Sequence, residues 1–141
     1  RFCPNVVGIK DSSGNLDSLH SYLAVREGHF QVVCGSDRLA LAALQAGARA
    51  CISGNANVFP EIVVDLYRAY RAGDLERAQR QQELLDGVRT ALRDGGSLSL
   101  LKRALGFRGR AGGPVRRPLP EAADDLVADA RMLLRIAGLL P

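Results

Sequence analysis

Lys10 is the residue whose setting raises a chemical question. It ends the uncharged run Val6-Val7-Gly8-Ile9, and Asp11-Ser12-Ser13-Gly14-Asn15 follows at once. A short β-branched run closed by turn residues is the pattern of a strand buried on both faces. A lysine there is anomalous, because a desolvated ammonium is costly. Losing the proton relieves that cost and leaves a nucleophilic amine. One reading is therefore a Schiff-base lysine at the C-terminal end of a buried strand. The other is a lysine just past the strand, snorkelling to water. These residues alone favour the second. Lys10 and Lys102 are the only lysines in 141 residues, which makes one at the end of an apolar strand more notable.

Two further segments have the composition of strand-end sites. Gly35-Ser36-Asp37 follows the apolar run Phe30-Gln31-Val32-Val33-Cys34. Backbone N–H groups and the helix dipole at such a junction can hold an anionic group. An ordinary turn with Ser36 as N-cap accounts for the same residues. Ile52-Ser53-Gly54-Asn55-Ala56-Asn57-Val58 ends a third apolar run. It reads as a turn with Asn57 helping to cap the next helix, and Gly54 leaves room beside it.

Other chemistries find little support. Cys3, Cys34 and Cys51 are odd in number and widely spaced, and His20 and His29 stand in no ligand spacing. Neither a disulfide framework nor a metal site is expected. Cys34 and Cys51 read as small buried hydrophobes, which fits a reducing, cytoplasmic compartment. The glycine patterns of phosphate loops and dinucleotide folds are missing. Ser12-Ser13 beside Lys10 lacks the Gly-x-Ser-x-Gly elbow of a hydrolase. No run is long enough for a membrane helix. The net charge of +4 comes mostly from arginine, much of it between Lys102 and Arg117. Without interleaved aromatics it is a poor nucleic-acid signal, so neither nucleic acid nor membrane is an expected partner.

The elements that must position these residues alternate. A strand through Ile9 leads to a helix from Leu16 to Glu27, capped by Ser13 or Asn15 and stopped by Gly28. The strand 30–34 leads to a helix from Asp37 to Gln45. The strand 48–52 leads to a helix from Pro60 to Ala72, with proline in its first turn. This order predicts parallel β–α units. The rest is helical: 75–92, 97–105 and 121–137, with a Gly/Arg/Pro loop from Gly106 to Pro120. Leu126, Val127, Ala130, Leu133, Leu134 and Ala137 form the apolar stripe of the last helix.

Val-Gly-Ile-Lys-Asp-Ser-Ser-Gly-Asn, residues 7–15, resembles the lysine signature of the dihydrodipicolinate synthase/N-acetylneuraminate lyase family. Ile52-Ser53-Gly54-Asn55-Ala56-Asn57-Val58 is similar to its Ile-Ser-x-x-Ala-Asn-Val segment. Leu101-Lys102-Arg103-Ala104-Leu105 and the turn 113–120 resemble its later landmarks, with Lys102 read as structural. The resemblance covers nearly all of the chain but only about the second half of a family member. It implies an α/β fold, strands six to eight of a (β/α)8 barrel over residues 1–73, and a C-terminal helical extension over 74–141. Three strands do not close a barrel, which takes eight and typically ~250 residues. Because the chain begins at Arg1 and enters a strand almost at once, it is expected to be a fragment, inactive alone.

The resemblance further implies a class I lyase. Lys10 would form a covalent imine with pyruvate, and the derived enamine would add to an aldehyde, or the reverse adduct would be cleaved. No metal or other cofactor is implied. Gly35 and Ile52 would contact the keto acid, Asp37 the acceptor aldehyde, and Ser53 the substrate pocket. The partners would be a keto acid, an aldehyde and other copies of the chain, as a homotetramer. Tyr22, Tyr67 and Tyr70 lie on helices and are not assigned the proton-relay role. Arg38 and Gly54 differ from the sialic acid lyases. The expectation is a 4-hydroxy-tetrahydrodipicolinate synthase-like protein. Alternatives are a 2-keto-3-deoxy-sugar-acid or 4-hydroxy-2-oxoglutarate aldolase, and a non-catalytic truncated barrel serving as an interaction module.

Overall fold

The three apolar runs pair as parallel strands. A computed structural model describes residues 3–141; Arg1 and Phe2, the start of the expected barrel portion, lie outside the described residues. The strands are β1 (Gly8–Asp11), β2 (Gln31–Cys34) and β3 (Ala50–Cys51), in the order β1-β2-β3. Register places Lys10 beside Val33 and Val33 beside Ala50, with Asp11, Cys34 and Cys51 in the next row. Helices α1 (Leu16–Val25) and α2 (Ala40–Ala46) connect them. Asn15, not Ser13, caps α1 by accepting from the Asp17 N–H at 2.8 Å. Gly47 ends α2 in the left-handed region, φ 105°, where glycine carries no Cβ penalty.

Three expectations need correction here. The first strand starts at Gly8, and Val6 and Val7 stand exposed before it. Helices cover one face of this short sheet, and among the described residues β1 has a neighbour on one side only, so burial on both faces is not achieved. The second helix starts at Ala40, because Asp37–Leu39 winds as a 3-10 turn. Ser36 occupies the N-cap position of that turn but its side chain makes no cap hydrogen bond.

Four longer helices complete the chain: α3 (Pro60–Arg71), α4 (Leu75–Ala91), α5 (Leu98–Phe107) and α6 (Asp124–Ile136). Asp74 caps α4 and Ser97 caps α5. Asn57 does not cap α3; its amide donates to the Gly54 carbonyl at 2.9 Å. The last helix starts three residues later than expected because Glu121 is engaged elsewhere. Its carboxylate accepts from the Ser99 hydroxyl at 2.6 Å and the Val115 N–H at 3.0 Å. Lys102 is structural, donating to the Pro114 carbonyl at 2.8 Å.

Apolar burial organises two clusters. The smaller joins Leu19, Val32, Cys34, Ala43 and Ala48 beneath one face of the sheet. The larger runs from Leu41 and Leu44 through Phe59, Leu66, Leu85, Leu92 and Leu100 to Leu134. It packs α2 and α3 against α4, α5 and α6. Each fully buried leucine contributes about 2 kcal/mol by transfer from water. Leu66 is fully buried where α3 meets α4. Leu66→Ala is expected to cost about 2–5 kcal/mol, read as a lowered midpoint in urea unfolding.

Candidate active site

The two-residue period of a strand sends alternate side chains to opposite faces. Ile9 and Val32 pack into the cluster under α1 and α2. Lys10, Val33 and Ala50, one residue further along each strand, therefore share the other face, which no helix covers. Lys10 is exposed there. The dry environment expected for its amine is not present among the described residues, because only three strands surround that face. The lysine nevertheless stands at the C-terminal ends of the parallel strands. Its stem lies over Gly35, at the end of β2. A Cβ built on Gly35 would meet Lys10 Cε at 2.6 Å and also strike the Ser12 hydroxyl. Only glycine leaves that lysine its path.

Hydrogen bonds continue the ladder one step past the strands. The Gly35 N–H donates to the Asp11 carbonyl at 2.6 Å, and the Ile52 N–H to the Cys34 carbonyl at 2.8 Å. Ser12, Gly35 and Ile52 thus form the next row on Lys10's face, with Ile52 52% exposed. Asp11 is buried on the helix side and accepts from the Ser13 N–H at 2.8 Å, which shapes the turn after the lysine. That N–H holds its carboxyl below the ordinary value, with burial opposing and the Ser13 and Ser18 hydroxyls assisting.

Beside this row lies a cleft of about 420 Å3, lined by Ser12, Gly35, Asp37, Asn55, Arg89 and Asp94 among others. Asp37 is only 9% exposed and Asn55 2%. The Asn55 amide donates to Asp37 Oδ2 at 2.8 Å. Gly54 also lines the cleft and a Cβ there would meet open space, as its reading as room implied. Lys10, Ile52 and Ser53 lie outside the lining. Ser53 uses its hydroxyl oxygen to accept from the Ala56 N–H at 3.0 Å, a local turn bond. Tyr67 and Tyr70 line a separate cleft with Arg49 and Gln31, at the starting ends of the strands.

The cysteines do not supply a nucleophile at the site. Cys34 is buried, and burial pushes the Cys51 thiol up to about 11, with the charge of Asp37 adding to the effect. A thiol so raised stays protonated and unreactive. Asn55 and Gln82 were not picked out from the sequence as site residues. Gln82 did leave a signal: it sits between Ala78 and Leu85 on the apolar side of its helix, and it is buried.

With this geometry in hand, the comparisons can be stated. The model of the dihydrodipicolinate synthetase family matches residues 1–137. The chain belongs to that family. It is 41% identical over 140 residues to the 4-hydroxy-tetrahydrodipicolinate synthase of Hyphomonas neptunium, covering 96% of this chain and 47% of that protein. Its fold is similar to the crystal structure of dihydrodipicolinate synthase DapA-2 from Bacillus anthracis, with TM-score 0.88 and 27% identity over 95% of this chain and 46% of that one. It is also similar to YagE of E. coli, a family protein solved in complex with pyruvate, with TM-score 0.87 and 28% identity over 96% of this chain and 47% of that one. The chain thus spans about half the length of the relatives it matches.

The depressed Asp11 carboxyl sets a pH expectation. A carboxyl held below its unfolded value of ~3.9 adds stability above that pH and loses it as pH falls through the folded value. Unfolding of the wild type should ease below about pH 4. Asp11→Asn, which keeps the acceptor for Ser13 but not the charge, should flatten that acid limb in denaturant titrations run from pH 6 to pH 3.

Proposed function

We propose that residues 1–73 are strands six to eight of a (β/α)8 barrel and 74–141 its C-terminal helical extension, belonging to a longer Schiff-base-forming lyase. The observation that supports this most is the placement of Lys10. Its stem crosses Gly35 at the C-terminal end of the neighbouring parallel strand, in the row below Ile52 and on the face without helices. Active sites of such barrels form at that end of the strands.

In the proposed reaction the Lys10 amine attacks the keto carbon of pyruvate. Loss of water leaves an iminium ion, which withdraws electrons from the adjacent methyl group. Loss of a methyl proton gives an enamine, whose carbon adds to an aldehyde. Hydrolysis of the new iminium releases product and restores the amine. The reverse sequence is a retro-aldol cleavage. A primary amine is the group this requires, and no metal or organic cofactor enters the scheme. Gly35 and Ile52 flank the bound keto acid through their backbone. Ser53 shapes the pocket wall, and Asp37 meets the acceptor aldehyde in the cleft. The most economical assignment is a 4-hydroxy-tetrahydrodipicolinate synthase-like activity, with the sugar-acid and 4-hydroxy-2-oxoglutarate aldolases next. The full-length protein would be a homo-oligomer in the cytoplasm, and the bare sheet face and the open edge of β1 would be covered by the remaining barrel strands.

The exposure of Lys10 supports a second reading for the 141 residues taken alone: a partial barrel that binds other proteins and does no chemistry. Borohydride trapping with pyruvate separates the two. The full-length protein should carry a reduced pyruvate adduct on Lys10 by peptide mass spectrometry. Lys10→Ala should lose the adduct and about a thousandfold or more in turnover, the scale seen when a covalent nucleophile is removed. Activity that persists in Lys10→Ala without any adduct would refute the lyase.

A further inference from the structure

Asp37 sits at the end of the most connected polar network in the molecule, and the network reaches it from the far helices. Gln82, on α4, spends its whole amide on this task. Its Oε1 accepts from the Leu41 N–H at 3.0 Å, and its Nε2 donates to the Asp37 carbonyl at 3.0 Å and to Asp86 Oδ1 at 3.3 Å. Three bonds fix the orientation of the amide, since a flipped group would set donor against donor at Leu41. Asp86 is held in turn by Arg89 at 2.9 Å, and Arg89 also pairs with Asp94. Asp94 follows Arg93 through left-handed backbone, φ 57° and 52°, which a non-glycine residue seldom adopts. The 3-10 turn carrying Asp37 is thus tied to α4 through its backbone, while Asn55 holds its carboxylate.

What this network leaves unsatisfied is informative. Asp37 Oδ1 and Asn55 Oδ1 are both buried without a hydrogen-bond partner. Both are acceptors, and a buried acceptor without a donor is costly. The cleft's arginines are already engaged: Arg38 donates to the Gly14 carbonyl at 2.6 Å, and Arg89 to its two carboxylates. The unmet demand in this corner is therefore for donors.

We infer that Gln82 and Asn55 are positioning residues that present the Asp37 carboxylate to the second substrate, selecting an aldehyde whose chain carries a hydrogen-bond donor, a hydroxyl or an ammonium. The inference rests on the lyase reading above and deepens it. Gln82 acts through the backbone of residues 37–41, and Asn55 through the carboxylate itself. Neither touches Lys10 or the keto acid in this scheme, so their loss should spare the first half of the reaction.

The test uses the full-length protein with pyruvate and three aldehydes: glyceraldehyde with hydroxyls, aspartate semialdehyde with an ammonium, and propanal with no donor. At least one donor-bearing aldehyde should exceed propanal in kcat/KM by about tenfold or more, the scale of one hydrogen bond to a charged group. Gln82→Met and Asn55→Val should raise KM for that aldehyde by about tenfold, leaving propanal, KM for pyruvate and the rate of borohydride trapping with pyruvate alone unchanged. Asn55→Thr, which differs from the valine variant by one hydroxyl, should recover most of the preference. Intact trapping with propanal used as well as the other two, or with a preference that Asn55→Val leaves unmoved, overturns this inference alone. A fall in trapping that parallels the rise in KM assigns these residues a merely structural role and overturns it too. Absence of trapping in the wild type removes the lyase reading and this inference with it.

Discussion

The alternation of side chains along a parallel strand is the constraint on which the site depends. Ile9 and Val32 must enter the cluster beneath α1 and α2, because no other apolar surface is offered to that side of the sheet. Their burial fixes the facing of every residue in register with them. Lys10 is sent to the opposite face by its neighbours' hydrophobicity, not by any attraction of its own. A slip of one residue would bury the lysine under α1 and expose Ile9. The register of β1 against β2 therefore decides at once where the amine stands and that Gly35 lies under its stem.

The helices after residue 73 are part of that arrangement. The larger apolar cluster runs without a break from α2 and α3 into α4, α5 and α6. Within it Gln82 is a polar residue at an apolar position, and it spends its hydrogen bonds on the strand-end turn. Helix packing brings that amide within reach of Asp37, forty-five residues earlier in the chain. The cleft is accordingly built from both ends of the sequence: glycine, serine and aspartate from the strand ends, arginine and aspartate from the turn after α4.

Much of the fold could be read along the chain because its determinants are local. Three β-branched runs, the caps at Asn15, Asp74 and Ser97, Pro60 in a first turn and Gly47 at a helix end each act within a few residues. The misreadings occurred where a distant partner outbid a local preference. Ser36 and Asn57 look like caps but make no cap bond in their expected roles. Glu121 suits a helix start but is drawn to Ser99 and Val115. Val6 and Val7 have strand propensity but no second neighbouring strand to pair with among the described residues.

The sequence by itself determined the element types, the parallel order and the three strand-end segments with Lys10, Gly35 and Ile52, since hydrophobic period and turn chemistry are properties of neighbouring residues. Tertiary structure alone decided which face the lysine occupies, that its amine is open to solvent here, and that Asn55 and Gln82 converge on Asp37. Those outcomes depend on strand register and helix packing, and such contacts join residues whose separation along the chain carries no local signal.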